Sequence, residues 1–419
     1  MQTSKRKFIK SLALIGFLPF QKDENFWSNA SKTPDYSKEF KEDWDLIRTH
    51  YELKKEYINL ENGYFIMMSQ PVLNAYLNDI RMVNREASYY MRTVQFENKA
   101  KTRDRLAKLI GCEPEELIIT RNTTESLDTI ISGFDWKAGD EAIMAEQDYG
   151  SMLDMFRQQA ERYGIKNTIV SLPIDPKSDE EIISLYEKAI TPKTRLIMVC
   201  HMVNISGQIL PIKKICQMAH QKGIEVMVDG AHAIAQLDFK ISDLGCDYYG
   251  SSLHKWLGSP MGAGILYINK SKIKKLWPIY ADYGFENNLV EKLNHTGTHP
   301  VATDIAINHS IDYHQWISVE KKELRLRFLK NYWTEKVRGK KGIILNTPSD
   351  PQRSAAIANV GIEGINPSDL AKILLDQYRI WTVAIDRSNI KGVRVTPNLY
   401  TTTQELDEFV NALLKIAKA

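Results

Sequence analysis

Asp229 and Lys255 are the residues whose types and spacing first indicate chemistry. The apolar, β-branched run Ile224–Val228 predicts a buried strand that ends at Asp229, and a second short strand, Tyr248–Ser252, comes shortly before Lys255. A lysine in a partly apolar pocket has a depressed pKa, which makes its amine a nucleophile toward an aldehyde cofactor, and a buried acid can keep a pyridine nitrogen protonated. Either residue alone is explained as well by a surface lysine or a loop cap. The two together, at this separation, favour a reactive site.

A loop of small polar residues, 121–126, leads from a predicted strand at 117–120 into a predicted helix at 127–134. Apolar residues recur in that helix at helical spacing. Free backbone N–H groups at the start of a helix attract anions. The loop is therefore either an anion site or only an N-cap.

Three motifs carry a resemblance to a known family: HMVNISG at 201–207, VDGAHA at 228–233 and SSLHKW at 251–256. With them the chain resembles the class V aminotransferase branch of the fold type I pyridoxal phosphate (PLP) enzymes, from about Ile58 to the C-terminus. Within that branch it is most similar to the isopenicillin N epimerase-like group. The resemblance implies an α/β fold, with a mostly parallel sheet in a large domain and a small α+β C-terminal domain. It also implies that the cofactor is pyridoxal 5′-phosphate.

The resemblance assigns roles to the residues that match the family pattern. Residues implied to bind the cofactor phosphate are Thr123, Thr124, Ser252 and His254. Residues implied to contact the ring are Asp229 at the pyridine nitrogen, Asn204 at the phenolic oxygen, and His232 at the phenolic oxygen or ring edge. Lys255 would carry the cofactor as a Schiff base and would also move the proton at the α-carbon of the substrate.

At one position the chain departs from its relatives. Cysteine desulfurases have a histidine that stacks on the pyridine ring where this chain has Gln147. Tyr149 is the nearest aromatic residue that can stack or move a proton. The resemblance therefore implies a cofactor contact at Gln147 or Tyr149, and Tyr149 is the preferred choice.

Two arginines are candidates for binding a substrate carboxylate. Arg394 lies in GVRVTPNLY, where relatives use an arginine as the clamp, and a guanidinium offers a carboxylate two parallel hydrogen bonds. Alternatively, Arg394 is a surface arginine at the edge of a strand. Arg92 follows Tyr89 and Tyr90 on a predicted helix, where the aromatic stripe is explained as well by core packing.

Thr298, in HTGTHP, matches a Gly-Thr element that in the family reaches the phosphate of the neighbouring subunit. The resemblance thus implies a homodimer with shared active sites and an amino acid as the small-molecule substrate.

The exact reaction stays open at this level. Cysteine desulfurases need a nucleophilic cysteine in the C-terminal region, and no cysteine follows Cys246, which disfavours that activity. Aminotransfer, epimerisation and β-elimination or C–S lysis remain, and so does a non-catalytic binding protein of the same fold. No G-x-G-x-x-G follows an early strand, and neither a Walker loop nor H-E-x-x-H is present, so dinucleotide, P-loop and zincin chemistry are not indicated.

Composition describes an ordinary globular chain. Its 419 residues are 43% apolar, enough for a full core, and the net charge of +3 is spread without a basic cluster, so no nucleic-acid partner is indicated. The four cysteines lack metal-binding spacing and are interpreted as buried thiols, and no metal site is predicted.

The N-terminus predicts export. Residues 4–10, SKRKFIK, resemble the twin-arginine signal S-R-R-x-F-x-K, with Lys5 in place of the first arginine, and the apolar run at 12–20 is too short to span a bilayer. This predicts a periplasmic or cell-envelope protein without a membrane span. The alternative is a basic helix or disordered arm on a cytoplasmic protein.

The elements that must position these residues alternate between strand and helix. Predicted strands of the large domain are 117–120, 141–145, 167–173, 195–200, 224–228 and 248–252. Predicted helices include 71–92, 97–110, 179–190, 211–222 and a long helix at 303–336. Three regions follow: an export signal and linker at 1–40, a PLP-binding domain with an N-terminal arm at 41–300, and a linker helix with a small domain at 301–419.

Overall fold

The structure is a computed structural model that describes residues 33–418, so the predicted export segment lies outside the described residues. In chain order the strands are β1 (Ile58–Asn59), β2 (Leu117–Thr120), β3 (Glu141–Ala145), β4 (Lys166–Val170), β5 (Thr194–Cys200), β6 (Glu225–Asp229), β7 (Tyr248–Ser252), β8 (Gly264–Ile268), β9 (Ile343–Leu345), β10 (Ala358–Ile362), β11 (Ile380–Trp381), β12 (Val383–Arg387) and β13 (Ile390–Val395). The α-helices are α1 (Trp44–Thr49), α2 (Gln70–Tyr89), α3 (Gln95–Ile110), α4 (Thr123–Gly133), α5 (Gly150–Tyr163), α6 (Asp179–Ala189), α7 (Ile212–His220), α8 (Ile241–Leu244), α9 (Val301–Ile317), α10 (Val319–Val337), α11 (Pro367–Tyr378) and α12 (Thr403–Ile416).

A seven-stranded sheet with the order β2-β8-β7-β6-β5-β3-β4 forms the centre of the larger part of the chain. Its neighbouring strands pair in parallel except for β8, which is antiparallel to both β7 and β2. Helices that connect parallel strands lie on the faces of such a sheet, so its strands are apolar on both sides. Along β5, Ile197 and Val199 join one hydrophobic cluster, while Leu196 and Met198 join the other.

A four-stranded antiparallel sheet with the order β12-β13-β10-β9 forms a second centre. A third hydrophobic cluster packs this sheet against α10, α11 and α12. The two-residue strand β1 pairs in parallel with β11, which brings residues 58–59 to the C-terminal region.

The predicted fold class is confirmed: the chain is α/β, with a mostly parallel large sheet and a C-terminal antiparallel sheet. Some predicted element boundaries were wrong. The single helix expected at 303–336 is two helices, because Ser318 has φ 77° and ends the first one. Helix α4 begins at Thr123 rather than at 127, because Asn122 caps it by accepting from Glu125 N–H. The boundaries of the three predicted regions stay predictions.

No helix within residues 33–418 has both the length and the apolar content needed to cross a bilayer.

Candidate active site

A cavity of about 340 Å³ lies where several strands of the large sheet end. Strands β5, β6 and β7 are parallel neighbours, so their carboxyl ends, Cys200, Asp229 and Ser252, meet at one edge of the sheet. Open α/β sheets bind ligands at this edge. The cavity is lined by Gly63, Tyr64, Phe65, Asn122, Thr123, Thr124, Tyr149, Met152, Cys200, Met202, Asn204, Asp229, Ala231, His232, Ser252, His254, Lys255, Met261 and Arg394.

Lys255 projects into this cavity from the turn that follows β7. Burial, reinforced by the positive charge of Arg394, lowers the pKa of the Lys255 amine to about 8, although Asp229 opposes the shift. A larger fraction of the amine is therefore unprotonated near neutral pH than in an ordinary lysine. An unprotonated amine is the form that attacks a carbonyl carbon.

His232 lies within hydrogen-bond distance of this amine. Its Nε2 lies 3.1 Å from Lys255 Nζ, and its Nδ1 accepts a hydrogen bond of 3.2 Å from Trp256 Nε1. Burial, together with the positive charge of Lys255, holds the pKa of His232 well below its usual range. His232 is therefore a neutral imidazole in this site.

Asp229 lies at the end of β6 and is buried. One of its oxygens accepts from Ala231 N–H at 3.0 Å, and burial raises the pKa of the carboxyl, although this hydrogen bond and Lys255 oppose the rise. The next residue, Gly230, is in close contact with the Tyr249 ring, because a Cβ there would lie 2.0 Å from a ring carbon. Glycine is thus required beside the acid for steric reasons.

The start of α4 and the end of β7 form a polar corner of the cavity. Thr123 N–H donates to Ser252 Oγ at 2.9 Å, and the two hydroxyls share a second hydrogen bond of 2.7 Å. Thr124 and His254 line the same cavity, and burial lowers the pKa of His254 to about 4. Neutral donors beside a helix start suit an anion.

Arg394 lines the cavity, and its guanidinium is also hydrogen-bonded to other groups of the protein. The sequence analysis did not predict these hydrogen bonds. Its Nε and Nη2 donate to the two oxygens of Glu61 at 3.0 and 2.5 Å, and its Nη1 donates to Asn204 O at 3.2 Å. Gly63 lies against the guanidinium, since a Cβ there would be 2.9 Å from Cζ. The signal in the sequence was Glu61, the one charged residue in the stretch YINLENGYF.

The structure places three of the predicted residues outside this cavity. Gln147 is buried behind it, where its amide donates to Leu172 O and accepts from Leu172 N–H. Arg92 and Thr298 instead line a separate, open cleft of about 1220 Å³. Tyr149, the preferred aromatic, does line the cavity, at the N-cap of α5.

Asp148 is a second buried acid that the sequence analysis missed. It accepts from Ala145 N–H at 2.8 Å, and burial raises its pKa to about 7. Its neighbour Cys200 faces the cavity, and burial raises the pKa of that thiol well above its usual value. Cys200 is therefore an unreactive thiol in this setting.

The cavity fits pyridoxal phosphate. Among the described residues, the side-chain oxygen of Asn204 and Nδ1 of His254 are buried without a hydrogen-bond partner, and both residues line the cavity. Buried polar atoms are normally paired, so these two point to a polar ligand. An anion corner, an acid and a reactive amine complete the groups that this cofactor needs.

Several known proteins are similar to this chain. The profile of the family described as aminotransferase class-V matches residues 68–409. An isopenicillin N epimerase of Streptomyces clavuligerus is 28% identical over 330 residues, which cover 75% of this chain and 83% of that protein. A probable cysteine desulfurase of Xylella fastidiosa is 27% identical over 407 residues, 90% of this chain and 96% of that protein.

Among solved structures, a C-DES variant with glycine covalently linked to its PLP cofactor shares the fold. Its TM-score is 0.78 at 20% identity, and the alignment covers 86% of this chain and 96% of that one.

Proposed function

The chain belongs to the class V aminotransferase family, and from this premise we propose that it acts at the α-carbon of an amino acid, by aminotransfer or by epimerisation. It is a PLP-dependent enzyme of that family. One observation carries the finer proposal: the Lys255 amine, with its lowered pKa, shares a cavity with a buried acid, Asp229, and a guanidinium, Arg394. These are the groups needed to bind an amino acid and remove its α-proton.

When bound, the cofactor supplies an aldehyde that condenses with an amine and a ring that withdraws electrons from the adjacent carbon. Lys255 then serves first as the amine partner and afterwards as the base that holds the α-proton. Asp229 would keep the ring nitrogen protonated. Thr123 and Ser252, which are hydrogen-bonded to each other at the start of α4, would hold the phosphate.

Arg394 orients the substrate. A guanidinium has five N–H groups, and Glu61 and Asn204 O engage only some of them. The others remain available to a carboxylate that enters the cavity. A carboxylate fixed there places the α-carbon of the substrate at a constant distance from Lys255.

The names of relatives support this choice of reaction only in part. An epimerase name accompanies a relative at 28% identity, and a desulfurase name accompanies one at 27%. The last cysteine of the chain is Cys246, so the C-terminal nucleophile expected of a desulfurase is not encoded. Elimination and non-catalytic binding are outcomes of the test below.

The proposal includes a homodimer with shared active sites. Thr298 lines a cleft apart from the cavity of its own chain, which is consistent with a role in the neighbouring subunit. We expect light scattering to give a dimer mass. Inactive Lys255→Ala and Thr298→Val proteins should regain activity when their subunits are exchanged in a mixture, and a mixture that stays inactive would contradict sharing.

Export through the segment at 4–10 is also proposed, on the strength of its resemblance to a twin-arginine signal.

The test is the visible absorption of the purified protein with PLP while L- and D-amino acids are added one at a time. Conversion of the band to a pyridoxamine-type spectrum establishes aminotransfer. A lasting band, with the α-carbon inverted and carrying solvent deuterium, establishes epimerisation. Release of a keto acid with ammonia would instead establish elimination. The band should be absent in Lys255→Ala and present in the matched control Lys270→Ala, an exposed lysine. If the wild type shows no band, the proposal fails and a binding protein remains.

A further inference from the structure

The buried indole of Trp256 determines which nitrogen of His232 carries the proton. Trp256 Nε1 lies 3.2 Å from His232 Nδ1, and both side chains are buried. An indole nitrogen is a donor only, so His232 Nδ1 must use its lone pair to accept. A neutral imidazole with an unprotonated Nδ1 carries its hydrogen on Nε2.

This contact also excludes the imidazolium form. A cation would present an N–H from Nδ1 toward the N–H of Trp256, which sets two donors against each other in a buried site. The other neutral tautomer is excluded for the same reason. His232 is therefore restricted to one of its three protonation states.

The remaining hydrogen points toward the reactive lysine. His232 Nε2 lies 3.1 Å from Lys255 Nζ. An N–H at that distance needs an acceptor, and an amine accepts only when it is unprotonated, because an ammonium group has no lone pair. The hydrogen bond is thus compatible only with the free-base form of Lys255.

We propose that Trp256 is a positioning residue: it fixes His232 as the neutral Nε2–H tautomer, and His232 in turn favours the unprotonated, nucleophilic form of the Lys255 amine. The value of this device for cofactor capture rests on the proposed function. The tautomer itself follows from the contacts alone.

Other charged groups near His232 and Lys255 affect the protonation of Lys255 in opposite directions. Asp229 and Glu61 favour the ammonium form of Lys255, and Arg394 disfavours it. His254 and Arg394 are the further charged or titratable neighbours of His232. The hydrogen bond from His232 therefore acts against two carboxylates, and its loss should move the protonation midpoint of Lys255 upward.

The first test is an NMR measurement that needs neither cofactor nor turnover. The full chain, freed of PLP and labelled with ¹⁵N only in its histidines, is studied by long-range ¹H–¹⁵N correlation between pH 6 and 9. The signal of His232 is assigned by its loss in His232→Leu. We expect a neutral ring with a protonated Nε2 throughout this range. A protonated Nδ1, or an imidazolium at pH 6 to 7, would overturn the proposal, whether or not the protein proves to be a PLP enzyme.

The second test measures the rate of PLP capture by the cofactor-free protein as a function of pH. Trp256→Phe removes the donor and keeps an aromatic ring, and it should shift the midpoint upward by about one pH unit, so that capture at pH 7 slows about tenfold. Trp333→Phe is the matched control, because Trp333 is equally buried, lies in the core of α10 and has an indole nitrogen without a hydrogen-bond partner. Equal midpoints in the two variants would refute the role of Trp256. If Trp256→Phe does not fold, the NMR result on the wild-type protein still decides.

Discussion

Removing Arg394 should destabilise the fold as well as the binding of substrate, and its pairing with Glu61 allows the two effects to be separated. The side chains of Glu61 and Arg394 are only 5% and 7% exposed, and they form a double hydrogen bond. Removing one partner of a buried ion pair typically costs about 3–5 kcal/mol, because the other charge is left unpaired. Glu61 also accepts from Gly63 N–H and Tyr64 N–H, so we expect the lower end of this range for Arg394→Met, about 3 kcal/mol.

The double variant Glu61→Gln/Arg394→Met should recover most of this loss. A neutral amide still accepts from the two backbone N–H groups but has no charge that requires a partner. We expect it to lie within about 1 kcal/mol of the wild type, so that it recovers about 2 kcal/mol of the loss in Arg394→Met. Arg157→Met is the control, because Arg157 pairs with Asp154 on the surface and such pairs are worth roughly 0–1 kcal/mol.

Urea unfolding of the wild type, Arg394→Met, the double variant and Arg157→Met gives these differences in the free energy of unfolding. Amino-acid binding is then compared under conditions in which the same fraction of each protein is folded. If Arg394→Met were no less stable than Arg157→Met, or the double variant no more stable than Arg394→Met, the argument from burial would be wrong. Weak carboxylate binding by a fully folded double variant would assign the clamp role to Arg394 directly.

Four other predictions concern the acid, the lysine, the phosphate corner and the signal. The folded pKa of Lys255, about 8, lies below its ordinary value of 10.5, so the unfolded chain binds more protons between these values. The cofactor-free wild type should therefore gain stability relative to Lys255→Met as pH rises through that window, by about 3 kcal/mol, because one pKa unit corresponds to about 1.4 kcal/mol. Thermal unfolding measures this gain, and a constant difference would contradict the shift. Asp229→Asn should keep the visible PLP band but lose activity by about 100-fold or more, and activity within tenfold of the wild type would exclude the assigned role. Ser252→Ala removes the acceptor of Thr123 N–H and should raise the Kd for PLP about fivefold to tenfold, measured by titration of the cofactor-free protein, with an unchanged Kd counting against the phosphate assignment. Replacing Arg6 with Gln should retain the protein in the cytoplasm on cell fractionation, and unchanged export would refute the signal.

Local pattern was enough to predict the strands that carry the site. Strands β5 to β7 are short, and two of them end in the polar residues Asp229 and Ser252. The spacing of apolar residues and the position of the polar ones can both be read from neighbouring residues in the sequence. The break at Ser318 was not predictable in this way, because the apolar pattern continues through it and only a positive φ interrupts the helix. The start of α4 was predicted four residues too late, because the side chain of Asn122 caps the helix and apolar spacing does not show such a cap.

The sequence by itself determined which residue types meet at the edge of the sheet, because parallel strands place their carboxyl ends together and the motifs at 201–207, 228–233 and 251–256 follow those ends. Only the tertiary structure decided how these side chains are paired. Glu61 is 333 residues from Arg394 along the chain. His232 contacts both Lys255 and Trp256, which lie 23 and 24 residues after it. Protonation states and ion pairs depend on distance and burial in three dimensions, and neither is encoded in the spacing of residues along the chain.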